Sequence, residues 1–204
     1  MLLEGLYGIT DEKLTPDECV LECVTTALKA GVSIIQYRNK TKTDNEVKDI
    51  CIALQSLCSG YDALFIIDDR AHLAQEIGAD GLHIGQNDIS LKDARAIFKD
   101  GIIGVSCYGD VENALKAQKE GANYVAFGSF FPSPTKPHSA VVSLEVITKA
   151  KEVLDIPVCV IGGISCANID QIMQHKPEMV SVINALFDGN ITINATNLLK
   201  KMNR

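Results

Sequence analysis

Hydrophobic and polar positions alternate along the chain in two recurring patterns. Short, nearly continuous runs of Val, Ile, Leu and Phe are typical of parallel strands covered on the outside, and amphipathic stretches with helical spacing lie between them. The patterns predict strands near Gly5–Thr10, Val32–Arg38, Ala63–Asp68, Gly81–Gly85, Ile102–Ser106, Tyr124–Gly128, Pro157–Gly162 and Met179–Asn184. They predict helices at Glu18–Ala30, Asn45–Ser59, Ala71–Ile77, Leu91–Phe98, Val111–Glu120, Leu144–Val153, Ser165–Met173 and Thr192–Met202.

Strand and helix alternate eight times, which predicts an α/β protein with the (β/α)8 TIM-barrel fold. A doubly wound open sheet is the alternative, but no GxGxxG motif follows the first strand. No linker or low-complexity segment divides the chain, so we expect one barrel domain over residues 1–204. In such barrels the functional site lies at the carboxyl ends of the strands, and the polar residues there are the candidates.

Composition and charge restrict the class of protein. The chain is 47% hydrophobic and 22% charged, and its net charge of −7 argues against a nucleic-acid-binding protein. No apolar run approaches the roughly 20 residues that span a bilayer, and the segment MLLEGLYGITDEK lacks the features of a signal peptide. Seven cysteines without a CxxC motif indicate reduced, buried thiols. We therefore expect a cytoplasmic protein with no membrane or nucleic-acid partner.

A cationic motif, QYRNK, ends the second predicted strand. Gln36, Arg38 and Lys40 alternate, so an extended backbone places them on one side. The planar fork of arginine and the compact charge of lysine both suit a pyrophosphate. The alternative is a pair of solvated loop charges.

Carboxylates follow the third and fourth strands, in DDR and GQND. Asp69 and Asp88 could meet across neighbouring loops, where Mg²⁺ takes one or two carboxylates together with phosphate oxygens. The alternative is that each aspartate caps the helix that follows it. His83, inside the fourth strand, is expected to be a core histidine with satisfied hydrogen bonds.

Two further segments suit a phosphate. VIGGIS ends the seventh strand with two glycines, whose bare backbone lets a phosphate approach N–H groups, although a tight turn with positive φ is the alternative. FPSPTKPH, after the sixth strand, is a proline-stiffened loop that carries Ser133, Thr135 and Lys136. Because these segments follow neighbouring strands, one ring of loops gathers both cations and carboxylates.

Taken in order, these motifs resemble a known family. YGIT, QYRNK, DDR followed by LA, GADGLHIGQND, GVSCY, YVAFGSFFPSPTK and VIGGI look like the thiamine-phosphate synthases, from about Leu6 to Phe187. The resemblance implies an Mg²⁺-dependent transferase of thiamine biosynthesis with small-molecule substrates. Such enzymes join hydroxymethylpyrimidine diphosphate to a thiazole with a phosphoethyl tail and release pyrophosphate.

The resemblance also implies roles for the candidate residues. It implies that the pyrimidine diphosphate is bound by Gln36, Arg38, Lys40, Asp68, Ser106 and Lys136. It implies that the thiazole phosphate is bound by Ser133, Thr135, Gly163, Ile183 and Asn184. Asp69 and Asp88 would hold Mg²⁺, and Arg38, Ser106 and Lys136 would act on the reacting groups.

The chain departs from the family at three of these positions. Asp68 stands where Asn is common, Ser133 where Thr is usual, and Asn184 where Ser is usual. None of the three removes a cation that the reaction needs. Two alternatives remain open, namely a thiazole tautomerase of the sister family and a non-catalytic barrel that binds thiamine precursors. The tautomerases typically carry a histidine where this chain has Ser129.

Overall fold

Eight parallel strands form a closed barrel in which each strand pairs with the next along the chain and β8 pairs with β1. The computed structural model describes residues 2–133 and 140–203. The strands are β1 (Gly5–Ile9), β2 (Ile34–Tyr37), β3 (Leu64–Asp68), β4 (Gly81–Ile84), β5 (Ile102–Tyr108), β6 (Tyr124–Phe127), β7 (Val158–Val160) and β8 (Met179–Val182). The predicted (β/α)8 fold is confirmed.

Helices surround the barrel and connect its strands. They are α1 (Val20–Lys29), α2 (Asp44–Ser59), α3 (Ala71–Ile77), α4 (Leu91–Ile97), α5 (Val111–Lys119), α6 (Glu145–Val153), α7 (Ile169–Met173), α8 (Asn184–Phe187) and α9 (Ile191–Met202). Side-chain oxygens of Ser90, Asp110 and Asn190 cap α4, α5 and α9 by accepting backbone N–H bonds. None of the helices within residues 2–133 and 140–203 combines the length and apolar character that a membrane span requires.

Two predicted boundaries are wrong at the carboxyl end of the barrel. The seventh helix begins at Ile169 rather than Ser165, because Ser165 lies in a turn in which its backbone N–H donates to Asn168 Oδ1 at 2.8 Å. Strand β8 ends at Val182 rather than Asn184, because Asn184 begins the short helix α8, which the sequence pattern did not predict.

Alternate residues of the strands pack into two separate hydrophobic clusters, one on each face of the sheet. The larger cluster fills the layer between the sheet and the helices, and includes Leu6, Ile35 and Phe65. The smaller one lies inside the barrel and consists of Tyr7, Ile9, Ile34, Leu64, Ile66, Tyr124, Ala126, Cys159 and Met179. The barrel is therefore packed from within and covered from outside.

Polar side chains close the amino ends of the strands in three places. In each, a residue just before one strand accepts a hydrogen bond from a backbone N–H near the start of the preceding strand. These bonds run from Phe65 to Asp80 Oδ2 (2.8 Å), from Ile103 to Asn123 Oδ1 (2.8 Å) and from Val158 to Glu178 Oε2 (2.9 Å). They satisfy N–H groups that the strand ladder leaves unpaired, at the face opposite the candidate site.

Candidate active site

A cavity of about 810 Å³ opens at the carboxyl ends of the strands. Its walls include eight of the predicted site residues, namely Gln36, Arg38, Asp68, Ser106, Ser133, Gly163, Ile183 and Asn184. Three others, Lys40, Asp69 and Asp88, do not line it. Thr135 and Lys136 lie outside the described residues. The structure thus gathers most of the predicted candidates around one cavity.

Arg38 and Lys40 form one ionic cluster with Asp68 and Asp69. The Lys40 ammonium lies 2.9 Å from Asp68 Oδ2 and also contacts Asp69 Oδ2, and Arg38 Nε lies 3.6 Å from Asp68 Oδ2. The side chain of Asp68 is 9% exposed, and its Oδ2 makes ion pairs but no well-aligned hydrogen bond. The carboxylates after β3 therefore hold the cations after β2 at the cavity mouth.

The loop after β1 holds the QYRNK segment in place. Thr10 Oγ1 accepts the backbone N–H of Arg38 at 2.9 Å, and Glu12 Oε1 accepts that of Lys40 at 2.7 Å. Glu12 Oε2 also accepts the hydroxyl of Thr41, and these hydrogen bonds lower the pKa of the Glu12 carboxyl. The sequence analysis missed Glu12, because its partners lie some 28 residues away along the chain.

Neither Asp69 nor Asp88 caps a helix, so that alternative is wrong. Asp69 has a left-handed backbone (φ 63°), and the N-cap of α3 is Arg70. Asp88 Oδ2 accepts the Gly85 N–H at 2.6 Å, and Ser90 caps α4. Across the described ranges, no group of three or more His, Cys, Asp or Glu side chains could hold a metal ion.

A chain of hydrogen bonds crosses the barrel interior beneath the cavity. Ser106 Oγ lies 2.9 Å from His83 Nε2, and His83 Nδ1 lies 2.9 Å from the Tyr124 hydroxyl. The Tyr124 hydroxyl lies 3.0 Å from that of Tyr7, which accepts a 2.7 Å bond from Gln36 Nε2. Burial raises the pKa of both phenols well above their usual range, so both stay protonated.

His83 has hydrogen-bond partners for both ring nitrogens, as expected, and its ring stacks on Tyr124 with centroids 5.6 Å apart. The sequence analysis missed Tyr7 and Tyr124. The available signal was a tyrosine inside an apolar strand, since a buried phenol needs a hydrogen-bond partner.

The glycines of VIGGIS meet the loop after β6 at very short range. Gly162 and Gly163 have φ of +104° and +62°. A Cβ on Gly163 would lie 2.3 Å from Pro132 O, and one on Gly162 would lie 2.0 Å from Ser129 Oγ. The turn with positive φ is therefore observed, and the close packing sets the position of the loop that leads to Ser133.

Comparisons with known proteins agree with this architecture. The family model of thiamine monophosphate synthase matches residues 6–186. The thiamine-phosphate synthase of Wolinella succinogenes is 44% identical over 94% of this chain and 89% of its own length. That of Acidithiobacillus ferrooxidans is 42% identical over 91% of this chain and 88% of its own length.

A solved structure shows the same relationship in three dimensions. Thiamine phosphate pyrophosphorylase from Pyrococcus furiosus superposes with a TM-score of 0.88 at 36% identity, covering 97% of this chain and 95% of that one. Sequence and structure agree over nearly the whole length. The chain belongs to the thiamine monophosphate synthase family.

Proposed function

We propose that the protein transfers the hydroxymethylpyrimidine group from its diphosphate to the ring nitrogen of 4-methyl-5-(2-phosphoethyl)thiazole, forming thiamine phosphate and pyrophosphate. The observation that carries the proposal is the ionic cluster of Arg38, Lys40, Asp68 and Asp69 at the mouth of a cavity of about 810 Å³. Family membership supports this reaction, and the two cations of the cluster, Arg38 and Lys40, supply positive charge for its anionic leaving group.

The pyrimidine diphosphate occupies the side of the cavity formed by β2, β3 and β5. Gln36 is buried there and offers its amide to the pyrimidine ring, while Arg38 and Lys40 bind the diphosphate. Ser106 contacts the reacting group from β5, and Lys136, which follows β6 in the sequence, adds a further cation.

Asp69 and Asp88 would hold Mg²⁺, which would supply positive charge to the leaving diphosphate. Two carboxylates suit this ion, because it prefers hard oxygen ligands and takes the remainder from phosphate and water. The Lys40 ammonium contacts Asp69 Oδ2, so Mg²⁺ would replace Lys40 as the partner of this carboxylate.

The thiazole phosphate occupies the opposite side, after β6, β7 and β8. Ser133, Gly163, Ile183 and Asn184 all line the cavity there, and Thr135 lies close to Ser133 in the sequence. TIM barrels often bind phosphate with the loops after strands seven and eight together with a short extra helix, and α8 is such a helix.

The reaction requires positioning and charge stabilisation but no protein nucleophile. The bond between the pyrimidine methylene carbon and the diphosphate oxygen breaks, and its electron pair leaves with pyrophosphate. The electron-rich pyrimidine ring supports the resulting cation, and the thiazole nitrogen donates its lone pair to the methylene carbon. The residues of this chain hold the two substrates in line and stabilise the departing anion.

The test is to mix the protein with both substrates and Mg²⁺ and to quantify thiamine phosphate and pyrophosphate, with and without EDTA. We expect equal amounts of both products and their loss with EDTA. Absence of product, together with binding of the thiazole phosphate, would refute the synthase and favour the tautomerase or the non-catalytic barrel.

Two variants test the residue assignments. Asp69→Ala and Lys136→Ala are expected to reduce turnover far more than stability. Asp62→Ala is the matched control for Asp69→Ala, because Asp62 also has a left-handed backbone (φ 54°) but precedes β3 at the other end of the barrel. Near-normal turnover of Asp69→Ala and Lys136→Ala at saturating Mg²⁺ would contradict these assignments.

A further inference from the structure

The hydrogen-bond chain beneath the cavity joins two residues of the proposed pyrimidine site. It starts at Gln36 on β2, passes through Tyr7, Tyr124 and His83, and ends at Ser106 on β5. All four bonds measure between 2.7 and 3.0 Å. Gln36, Tyr7, His83 and Ser106 line the cavity and Tyr124 does not, and the proposed function gives neither buried phenol a role.

If the hydrogen-bond chain is uninterrupted, its donors and acceptors can be arranged in only two directions. Each phenol stays protonated and has one hydrogen, so it can donate one bond and must accept the other. In the first orientation Gln36 Nε2 donates to Tyr7, Tyr7 to Tyr124, and Tyr124 to His83 Nδ1. His83 Nε2–H then donates to Ser106 Oγ. In the second orientation the other three bonds are reversed, and the Gln36 amide is turned so that Oε1 accepts from the Tyr7 hydroxyl.

The two orientations present opposite groups to the cavity. The first leaves Gln36 Oε1 as an acceptor and the Ser106 hydroxyl as a donor. The second leaves the Gln36 NH₂ as a donor and Ser106 Oγ as an acceptor. An aminopyrimidine offers an N–H to an acceptor, and a diphosphate oxygen needs a donor. Only the first orientation therefore serves both ends of the proposed substrate at once.

We propose that Tyr7 and Tyr124 are positioning residues that hold Gln36 as an acceptor and Ser106 as a donor for the pyrimidine diphosphate. The proposal rests on the proposed function, and it concerns two buried phenols to which that function assigns no role; Tyr7 lines the cavity and Tyr124 does not. The placement of Gln36 Nε2 at 2.7 Å from the Tyr7 hydroxyl agrees with the first orientation.

The kinetic test compares Tyr7→Phe with Tyr124→Phe. Tyr7→Phe frees the Gln36 amide to rotate but leaves Tyr124 donating to His83. It is expected to raise KM for the pyrimidine diphosphate about fivefold, with kcat within about twofold of wild type. Tyr124→Phe also removes the donor to His83 Nδ1, so it is expected to raise that KM and to lower kcat, each about fivefold.

Further readouts separate positioning from a structural role. Because both phenols act through one chain, the double variant is expected to raise KM no more than the larger single effect. KM for the thiazole phosphate is expected to stay within about twofold in all of these variants. Each substitution removes one phenol hydroxyl, so its effect is limited to about the free energy of a neutral hydrogen bond. Tyr37→Phe is the matched control, because Tyr37 is also buried but its hydroxyl points towards Asp17, in the turn before α1.

Nitrogen NMR of His83 tests the orientation without turnover. In the first orientation Nδ1 is unprotonated and Nε2 carries the hydrogen, and Tyr124→Phe is expected to change the Nδ1 signal. A hydrogen on Nδ1 in the wild type would overturn the proposal. So would a Tyr7→Phe enzyme with unchanged pyrimidine KM, or a Tyr37→Phe enzyme with equal effects. A wild type without turnover would refute the proposed function, and the nitrogen spectra would then decide the orientation alone.

Discussion

Replacing Gly163 with alanine tests how far close backbone packing defines the thiazole side of the cavity. The residue has a left-handed backbone (φ +62°), which costs an alanine about 1 kcal/mol. The new Cβ would lie 2.3 Å from Pro132 O and 2.6 Å from Phe131 O, and backbone carbonyls cannot rotate away as a side chain can. Overpacking of this kind adds about 1–3 kcal/mol. Gly163→Ala is therefore expected to lower the free energy of unfolding by about 2–4 kcal/mol.

The same change is expected to move the loop that carries Ser133, and so to raise KM for the thiazole phosphate. Unfolding in urea, followed by circular dichroism, gives the stability, and pyrophosphate release at varied thiazole phosphate gives KM. The melting temperature is expected to fall by about 4–16 °C, since 1 kcal/mol corresponds to about 2–4 °C in a chain of this size.

Gly78→Ala is the matched control. Gly78 has nearly the same backbone (φ +65°), but apart from its own neighbours in the chain no heavy atom of the described residues lies within 4 Å of the Cβ that alanine would add. Gly78→Ala is therefore expected to lose only the backbone term of about 1 kcal/mol in stability, and its KM for the thiazole phosphate is expected to stay normal. Equal stability losses in the two variants, or an unchanged thiazole KM in Gly163→Ala, would refute the argument from close contact.

Three other changes give separate checks. Arg38→Lys keeps the charge near Asp68 but loses the guanidinium fork, so KM for the pyrimidine diphosphate is expected to rise about tenfold in steady-state assays, and an unchanged KM would contradict this. Asp80→Ala leaves the Phe65 N–H without its acceptor and is expected to cost about 1–3 kcal/mol in urea unfolding, with both KM values unchanged because the bond lies at the opposite face. Burial raises the pKa of three thiols to about 12, so iodoacetamide at pH 8 is expected to leave them unmodified in the native protein, as judged by mass spectrometry, and rapid labelling would contradict this. They are Cys51, Cys58 and Cys107.

The barrel could be predicted from the sequence because its strands are buried on both faces, which gives continuous apolar runs. Its helices are buried on one face only, which gives an amphipathic pattern. These two patterns differ in period and are repeated eight times, so single boundary errors do not change the topology. Helix α8 could not be found in this way, because four residues, Asn184–Phe187, are too few to show a helical period. The start of α7 was misplaced because Ser165 and Asn168 are both good N-cap residues, and only the backbone distinguishes them.

The polar residues at the strand ends were predictable as a group, since barrel topology brings them to one face. The individual contacts between these side chains could not be predicted from the sequence. The contact of Lys40 with Asp69 depends on how two loops fold after their strands end, and the bond between Tyr7 and Tyr124 joins residues 117 positions apart. Which face of a short strand points inward is set by its pairing with its neighbours, which the sequence of that strand does not reveal.

The balance of charge in the ionic cluster has a consequence for how the diphosphate reaches the site. Arg38, Lys40, Asp68 and Asp69 carry two positive and two negative charges, which sum to zero, in a chain of net charge −7. Such a protein does not draw an anion in from beyond a Debye length of about 8 Å. Capture is instead an exchange of counterions at contact range, in which the phosphates replace carboxylates as partners of the two cations. The association rate is accordingly expected to rise with ionic strength, because salt screens the repulsion between the anionic ligand and the net negative protein, and the site selects its ligand by fit at short range.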